Sequence, residues 1–406
     1  MKPPDDDDTW DENLSDRQGR RNRQEVEPLE IRLSIHPARP RPDAARREKA
    51  RALLAELLAV PEKDRLRRLG DQRFQDPDLF DLLLEAGHAA LPFEAHQAVE
   101  SLILATSLGS RLRQSGALRE EEGAARALCL LGTASRLHGE PAIAEAAFSQ
   151  AARLAVSAPE RGLFCRALAL LRWDQGRSEE AIALLQQAGA RFAAAGDAEE
   201  ETVCRALLGL LQVEELHTAE AIPWLLRAAE DLARGDRPWL AAQVQLGLAL
   251  CRAMAGEREK ARSARKQAWQ FYGGVTDEMA LLSLYWQEGR AALLTGDLQD
   301  AMDLLTTVRR KMIAQGSMPE ATLVTIDLGV LWLMAGREEE MIALAEEVVA
   351  AFRDVPGADL TVSALGQFLA ETEAGRLDPK VWNCALPTLR LAFRLQGLPF
   401  LPIPFA

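Results

Sequence analysis

From Ala44 onward, apolar residues return every three to four positions, and this spacing dominates the chain. Ala50, Leu53, Leu54, Leu57 and Leu58 fall on one face of a helix expected over 44–60, which Pro61 stops. A shorter amphipathic piece follows around Leu66 and Leu69. Two more helices are expected near 77–89 and 93–108, divided at Leu91-Pro92, because proline suits a first helical turn and not a helix interior. The first 42 residues read differently. They are rich in Asp, Arg and Pro, carry a basic run at Arg17, Arg20, Arg21 and Arg23, and show no helical period, so a disordered or extended arm is expected. Within that arm Leu29, Ile31, Leu33 and Ile35 alternate with Glu30, Arg32 and Ser34, the period of a strand. It either lies along the helical body or adds to the edge of a partner's sheet.

Beyond the second pair of helices the pattern repeats. Ala169, Gly209, Ala249, Gly289 and Gly329 are each 40 residues apart. Gly176, Leu216, Gly256, Gly296 and Gly336 keep the same spacing, as do Ala181, Ala221, Ala261, Ala301 and Met341, and Ala188, Ala228, Ala268, Val308 and Val348. Each row has a physical reading. A small residue in a first helix lets a second helix approach closely, and a glycine seven positions later supplies the positive φ that ends the first helix. Thr295-Gly296-Asp297 then reads as helix end, turn and N-cap. The alanines spaced by seven line one face of the second helix, where a neighbouring hairpin can lie close. Second-helix ends are marked at Gly196-Asp197, Gly235-Asp236, Gly273-Gly274, Gly316 with Pro319, and Pro356-Gly357, again about 40 apart. The repeating unit is therefore an αα-hairpin.

Composition supports the helical reading. Only 5% of residues are aromatic, while the strong helix formers Ala, Leu, Arg and Glu abound, which makes an α/β enzyme a poor fit. The 48 basic against 61 acidic residues leave a net charge of −13, which opposes direct binding to nucleic-acid phosphates or an anionic membrane. No stretch approaches the roughly 20 apolar residues of a membrane span, and the start of the chain (Met1-Lys2-Pro3-Pro4, then Asp5 to Asp8) lacks the apolar core of a secretory signal, so a cytoplasmic protein is expected. The five cysteines, Cys129, Cys165, Cys204, Cys251 and Cys384, form no close pair and suggest neither disulfides nor a metal site.

The order Leu131-Gly132, Gly139, Ala144, Phe148, Ala151 resembles the tetratricopeptide (TPR) repeat, as do Leu208-Gly209 with Ala221, Leu225 and Ala228, and Leu328-Gly329 with Gly336. The 40-residue period is longer than the usual 34, most units lack the first-helix Trp, and Leu216 stands where one turn should carry Gly. The chain looks like the longer-helix variants of bacterial regulatory proteins. The resemblance implies an all-α, right-handed α-solenoid of stacked hairpins with a disordered N-terminal arm. Its expected parts are the arm over 1–42, an N-terminal helical segment with a degenerate repeat over 43–116, the solenoid over 117–374, and a closing helix with an apolar, Pro-rich tail over 375–406. Six units run from about 123 to 353, and a weaker one over 78–108 rests on Ala98, Leu102 and Ala105.

Chemistry finds no anchor in the pattern. There is no phosphate-binding Gly-x4-Gly-Lys loop, no dinucleotide fingerprint and no nucleophile elbow. His36, His88, His96, His138 and His217 are scattered, with no His-Glu-x-x-His. No enzyme, cofactor or metal is expected. Stacked hairpins instead offer a concave wall of first helices. Taking the family's wall positions onto this register gives Arg126, Thr133, Arg136, Arg166, Trp173, Gln243, Trp286 and Arg290 as partner-binding residues, with Cys129, Leu170, Leu210, Leu250, Ile326 and Val330 beside them. Arginines in the early units can grip a carboxylate by two hydrogen bonds, so an acidic or C-terminal carboxylate-bearing peptide fits there, with Trp173 or Trp286 as an apolar anchor. The plainer alternative is that such arginines pair with neighbouring Glu and the tryptophans lie in the core.

The end of the chain is unusual. A closing helix is expected over 380–395, with Pro387 kinking it. Leu398, Phe400, Leu401, Ile403 and Phe405 then alternate with prolines in an apolar strip that either caps the last repeats or docks on another protein or a second copy. The function expected is a non-enzymatic adaptor or regulator that binds an unidentified peptide or protein on its concave face, with no direct contact to nucleic acid or membrane. The alternative is a ligand-sensing module that passes a small-molecule signal to a transcription or signalling partner.

Overall fold

The structure, a computed structural model, describes residues 44–91, 95–118, 123–155, 157–235, 237–275 and 277–335. The arm, the repeat after Gly336, the closing helix and the Pro-rich tail lie outside these residues. Helices α1 (Ala44–Leu58) and α2 (Glu62–Arg68) lead through a 3-10 turn at Gln72–Phe74 to α3 (Pro77–Ala90) and α4 (Ala95–Gln114). There follow α5 (Ala124–Leu137), α6 (Pro141–Leu154), α7 (Ala158–Asp174), α8 (Ser178–Ala195) and α9 (Ala198–Glu214). The rest are α10 (Thr218–Leu232), α11 (Pro238–Met254), α12 (Arg258–Tyr272), α13 (Glu278–Thr295), α14 (Leu298–Ala314) and α15 (Met318–Met334). None of these helices is long and apolar enough to cross a membrane.

The fold is all-α, with helices packed in consecutive pairs. The described chain divides into two compact units, parted inside α9 between Leu211 and Gln212. In the first, α3 packs on α4, α5 on α6 and α7 on α8; in the second, α11 packs on α12, α13 on α14 and α14 on α15. The first helices α7, α9, α11, α13 and α15 begin 40 residues apart, and so do the second helices α8, α10, α12 and α14. Between α5 and α7 the interval is 34, the ordinary length of the resembled repeat, so the longer period starts only at α7.

The recurring small residues sit where the packing needs them. Ala181, Ala188, Ala221, Ala228, Ala261, Ala268 and Ala301 are fully buried, and Val308 nearly so. A Cβ on Gly289 would stand 2.9 Å from the Leu305 side chain, which is the close approach of α13 to α14 that the glycine allows. The first unit has a continuous apolar core running from Leu57 in α1 to Cys204 in α9. Ion pairs hold α1 on α3: Arg46 Nη2 lies 2.9 Å from Asp78 Oδ2, and Lys49 Nζ lies 2.8 Å from Asp76 Oδ2. Asp76 also caps α3, accepting from the backbone N–H of Asp78 at 2.8 Å.

Turn chemistry follows the rows with two exceptions. Gly176, Gly256 and Gly296 have φ of 72°, 76° and 81°, and Leu216 takes the same left-handed turn at φ 62°. A bulky side chain in that conformation costs roughly 1–2 kcal/mol. Leu216→Gly is therefore expected to stabilise the chain by about 1 kcal/mol in urea unfolding, with Leu216→Asn gaining less; an unchanged or lowered midpoint would show the strain to be relieved elsewhere. The second exception is Asp297, which makes no side-chain cap to α14. Its carboxylate is taken instead by Thr295 Oγ1 at 2.8 Å and Arg265 Nη1 at 2.9 Å, with Arg262 beside them.

Candidate binding face on the first helices

Successive first helices touch one another within each unit: α5 meets α7 in the first, and α11 meets α13 and α13 meets α15 in the second. Their contact carries ion pairs. Arg136 Nη1 on α5 lies 2.7 Å from Asp174 Oδ2 on α7, and Arg166 on α7 pairs with Glu200 on α9. In the second unit Arg290 Nε on α13 lies 3.2 Å from Asp327 Oδ2 on α15. Each pair spans about one repeat, so a charge on one hairpin finds its counterion on the next.

This arrangement places the expected wall residues as follows. Arg166 is 5% exposed and its partner Glu200 2%, so this guanidinium is engaged inside the unit and not presented to a carboxylate. Arg136 is likewise occupied by Asp174. Arg126 on α5 is half-buried, and desolvation holds its guanidinium below the ordinary arginine value, with Glu160 opposing. Thr133 is buried and donates its hydroxyl back to the Cys129 carbonyl at 2.8 Å. Trp173 packs among Ala169, Ala181, Leu185, Leu208 and Leu211, in the core and not as an exposed anchor. Gln243 is buried, and Leu170 and Leu210 are half-buried. Leu398, Phe400, Leu401, Ile403 and Phe405 fall outside the described residues.

Trp286, Arg290 and Asp327 come together in the second unit. The Trp286 indole Nε1–H donates to Asp327 Oδ2 at 2.6 Å, and the Arg290 guanidinium carbon stands 5.8 Å from the centre of the Trp286 ring. Trp286 is half-buried, whereas the Arg290 and Asp327 side chains are 6% and 1% exposed. Three buried atoms of this group, Arg290 Nε, Arg290 Nη2 and Asp327 Oδ1, have no hydrogen-bond partner. Burial pushes the Asp327 carboxyl up to about 6, against the pull of Arg290 and Trp286.

That shift fixes a sign. An aspartate titrating near 6 when folded and near 4 when unfolded binds its proton more tightly in the native state. Its contribution to stability is present below about pH 4 and is lost as pH rises through about 6. Asp327→Asn cannot ionise, so its stability relative to wild type should improve by on the order of 2 kcal/mol across that window, read from urea unfolding at a series of pH values. A flat difference would remove the argument. Glu145 and Asp297 run oppositely: Arg172 and Arg262 hold their carboxyls below the usual range, and what they contribute is lost as pH falls.

The sequence did not point to a further buried carboxylate, Glu288. Glu288 on α13 is 1% exposed and accepts from Trp269 Nε1 at 2.7 Å and Tyr272 Oη at 3.0 Å, both on α12. Tyr272 stands edge-on to Tyr285 at 5.3 Å, and burial first, then the Glu288 charge, raise its phenol well above the ordinary value. The available signal was that both tyrosines of the chain fall in this one stretch, Tyr272 ending α12 and Tyr285 within α13. Cys129, Cys204 and Cys251 are buried, which pushes their thiols up to about 12 and leaves them unreactive. Among the described residues no group of three or more His, Cys, Asp or Glu is placed to hold a metal ion.

No protein-family model matches the chain, and no curated protein matches it. Solved structures do. A Rap protein complexed with competence and sporulation factor aligns over 79% of this chain and 88% of its own, with a TM-score of 0.60 at 12% identity. The apo form of RapI aligns over 87% of this chain and 96% of its own, with a TM-score of 0.53 at 13% identity. A tetratricopeptide repeat protein from Parabacteroides merdae aligns over 72% of this chain and 98% of its own, at 16% identity and a TM-score of 0.44. Likeness at these identities is likeness of fold, and the fold is a TPR-like α-solenoid.

Proposed function

We propose that the chain is a non-enzymatic adaptor or regulator that binds a peptide or protein through its first helices. The observation that carries this reading is the set of ion pairs where successive first helices meet: Arg136 with Asp174, half-buried, and Arg166 with Glu200 and Arg290 with Asp327, both enclosed. Packing alone does not call for them. A buried ion pair is commonly no more stabilising than apolar residues of similar volume, so a sequence that encloses two of them between first helices keeps them for something besides stability. A partner that hydrogen-bonds along the first helices supplies that reason. The Rap protein solved with a bound factor has the same fold, which lends support.

The test is site-specific photo-crosslinking. Benzoylphenylalanine replaces Leu170 or Leu210 on the first helices α7 and α9, and separately Ile143 or Ile313 on the second helices α6 and α14, which are 46% and 37% exposed. The expected result is a cross-linked partner from the first-helix positions and none from the second. Adducts from Ile143 or Ile313 only, or from no position, would oppose the proposal.

A further inference from the structure

We propose that Trp286, Arg290 and Asp327 form a docking point for a carboxamide group of the partner, such as the side chain of Asn or Gln. The inference rests on the binding role just proposed and names the chemistry of one contact within it. Asp327 Oδ2 accepts from Trp286 Nε1 and lies 3.2 Å from Arg290 Nε as an ion pair, whereas Asp327 Oδ1 and both Arg290 Nε and Nη2 are buried with no hydrogen bond made to them. Unmet buried acceptors and unmet buried donors both carry a desolvation cost, and native proteins keep very few of them. Here both belong to one side-chain group on the first helices α13 and α15.

The unmet atoms, two donors and one acceptor, define the ligand. Asp327 Oδ1 requires an N–H, and Arg290 Nε and Nη2 each offer one to a carbonyl oxygen. A planar amide carries both functions. A carboxylate supplies only acceptors and meets the negative Asp327; an ammonium or guanidinium supplies only donors and meets Arg290. The pair is neutral as a whole, so it favours a neutral ligand and discriminates Gln from Glu by the group it would leave unpaired. This differs from the carboxylate grip that the arginines suggest in the sequence, because Arg290 already has its counterion. Trp286 is half-buried, while the other two side chains are almost fully enclosed.

The indole also reports on binding, since its N–H is bonded to the carboxylate that would receive the amide. Full-length chain is labelled with 15N at the tryptophan indoles, the Trp286 resonance is assigned from its loss in Trp286→Phe, and propionamide or sodium propionate is titrated near neutral pH. Propionamide should shift the Trp286 resonance saturably, and propionate should not. Asp327→Asn leaves the buried Arg290 guanidinium without its counterion and lowers stability, so the control is Arg290→Met with Asp327→Leu, which removes both charges. It should retain the other indole resonances and lose the response. No propionamide shift, an equal shift with propionate, or a shift that survives in the double variant would overturn the proposal, the first leaving a trapped water as the occupant of the pair. A propionamide shift in a chain whose first helices cross-link nothing would instead retain the docking point and defeat the wider binding role.

Discussion

Arg166→Ala is expected to destabilise the chain by about 3–5 kcal/mol, the loss that follows when a buried ion pair is broken from one side. The reason is the enclosure of its partner: Glu200 is 2% exposed, so the truncation takes the Arg166 cation from a buried carboxyl group. Guanidinium chloride unfolding of the full chain measures the loss. Removing both members together, Arg166→Met with Glu200→Leu, should recover most of it, because no charge is then left inside. The pair of results separates two roles for Arg166. A residue held at an open wall to grip a ligand would cost stability little when truncated; one that locks α7 to α9 would cost much singly and little as a pair.

Phe148→Ala should cost about 3–5 kcal/mol, as full truncation of a buried aromatic does. Phe148 on α6 is 1% exposed, and its ring fills the space left by the missing side chain of Gly132 on α5: a Cβ there would stand 2.5 Å from the ring. Gly132→Ala alone should therefore cost about 1–3 kcal/mol through overpacking. Combined with Phe148→Leu it should cost less than the two singles added, since the smaller side chain vacates the colliding volume. Strict additivity in unfolding midpoints would show that the hairpin absorbs the methyl by shifting elsewhere.

These two contacts mark how far the residues alone can be read. The Gly132–Phe148 approach belongs to a recurring motif, and such positions are legible because a small residue at a fixed phase has one main use, close helix contact. The same holds for Ala181 and its alanine equivalents, all enclosed as the spacing requires. Leu216 is recognisable in the sequence as an irregular turn, and its left-handed φ shows that the array imposes the turn even on an unsuitable residue. The binding face is harder to read. Arginines at 126, 136 and 166 look alike in sequence, and whether each is open or paired depends on an acid about one repeat away, as with Asp174 for Arg136 and Glu200 for Arg166. Trp173 and Trp286 both lie on first helices, yet one is packed in an apolar core and the other bonds a carboxylate, a difference set by Leu208 and Leu211 in one hairpin and Asp327 in another. Periodicity reveals backbone architecture; it does not reveal which polar residues have been partnered.

Hydrogen–deuterium exchange of the full chain, with and without the partner recovered by cross-linking, tests the account most directly. Slowed exchange on binding should concentrate in the first helices, α7 and α9 in one unit and α11, α13 and α15 in the other. Protection confined to the second helices α6, α8, α10, α12 and α14 would contradict it.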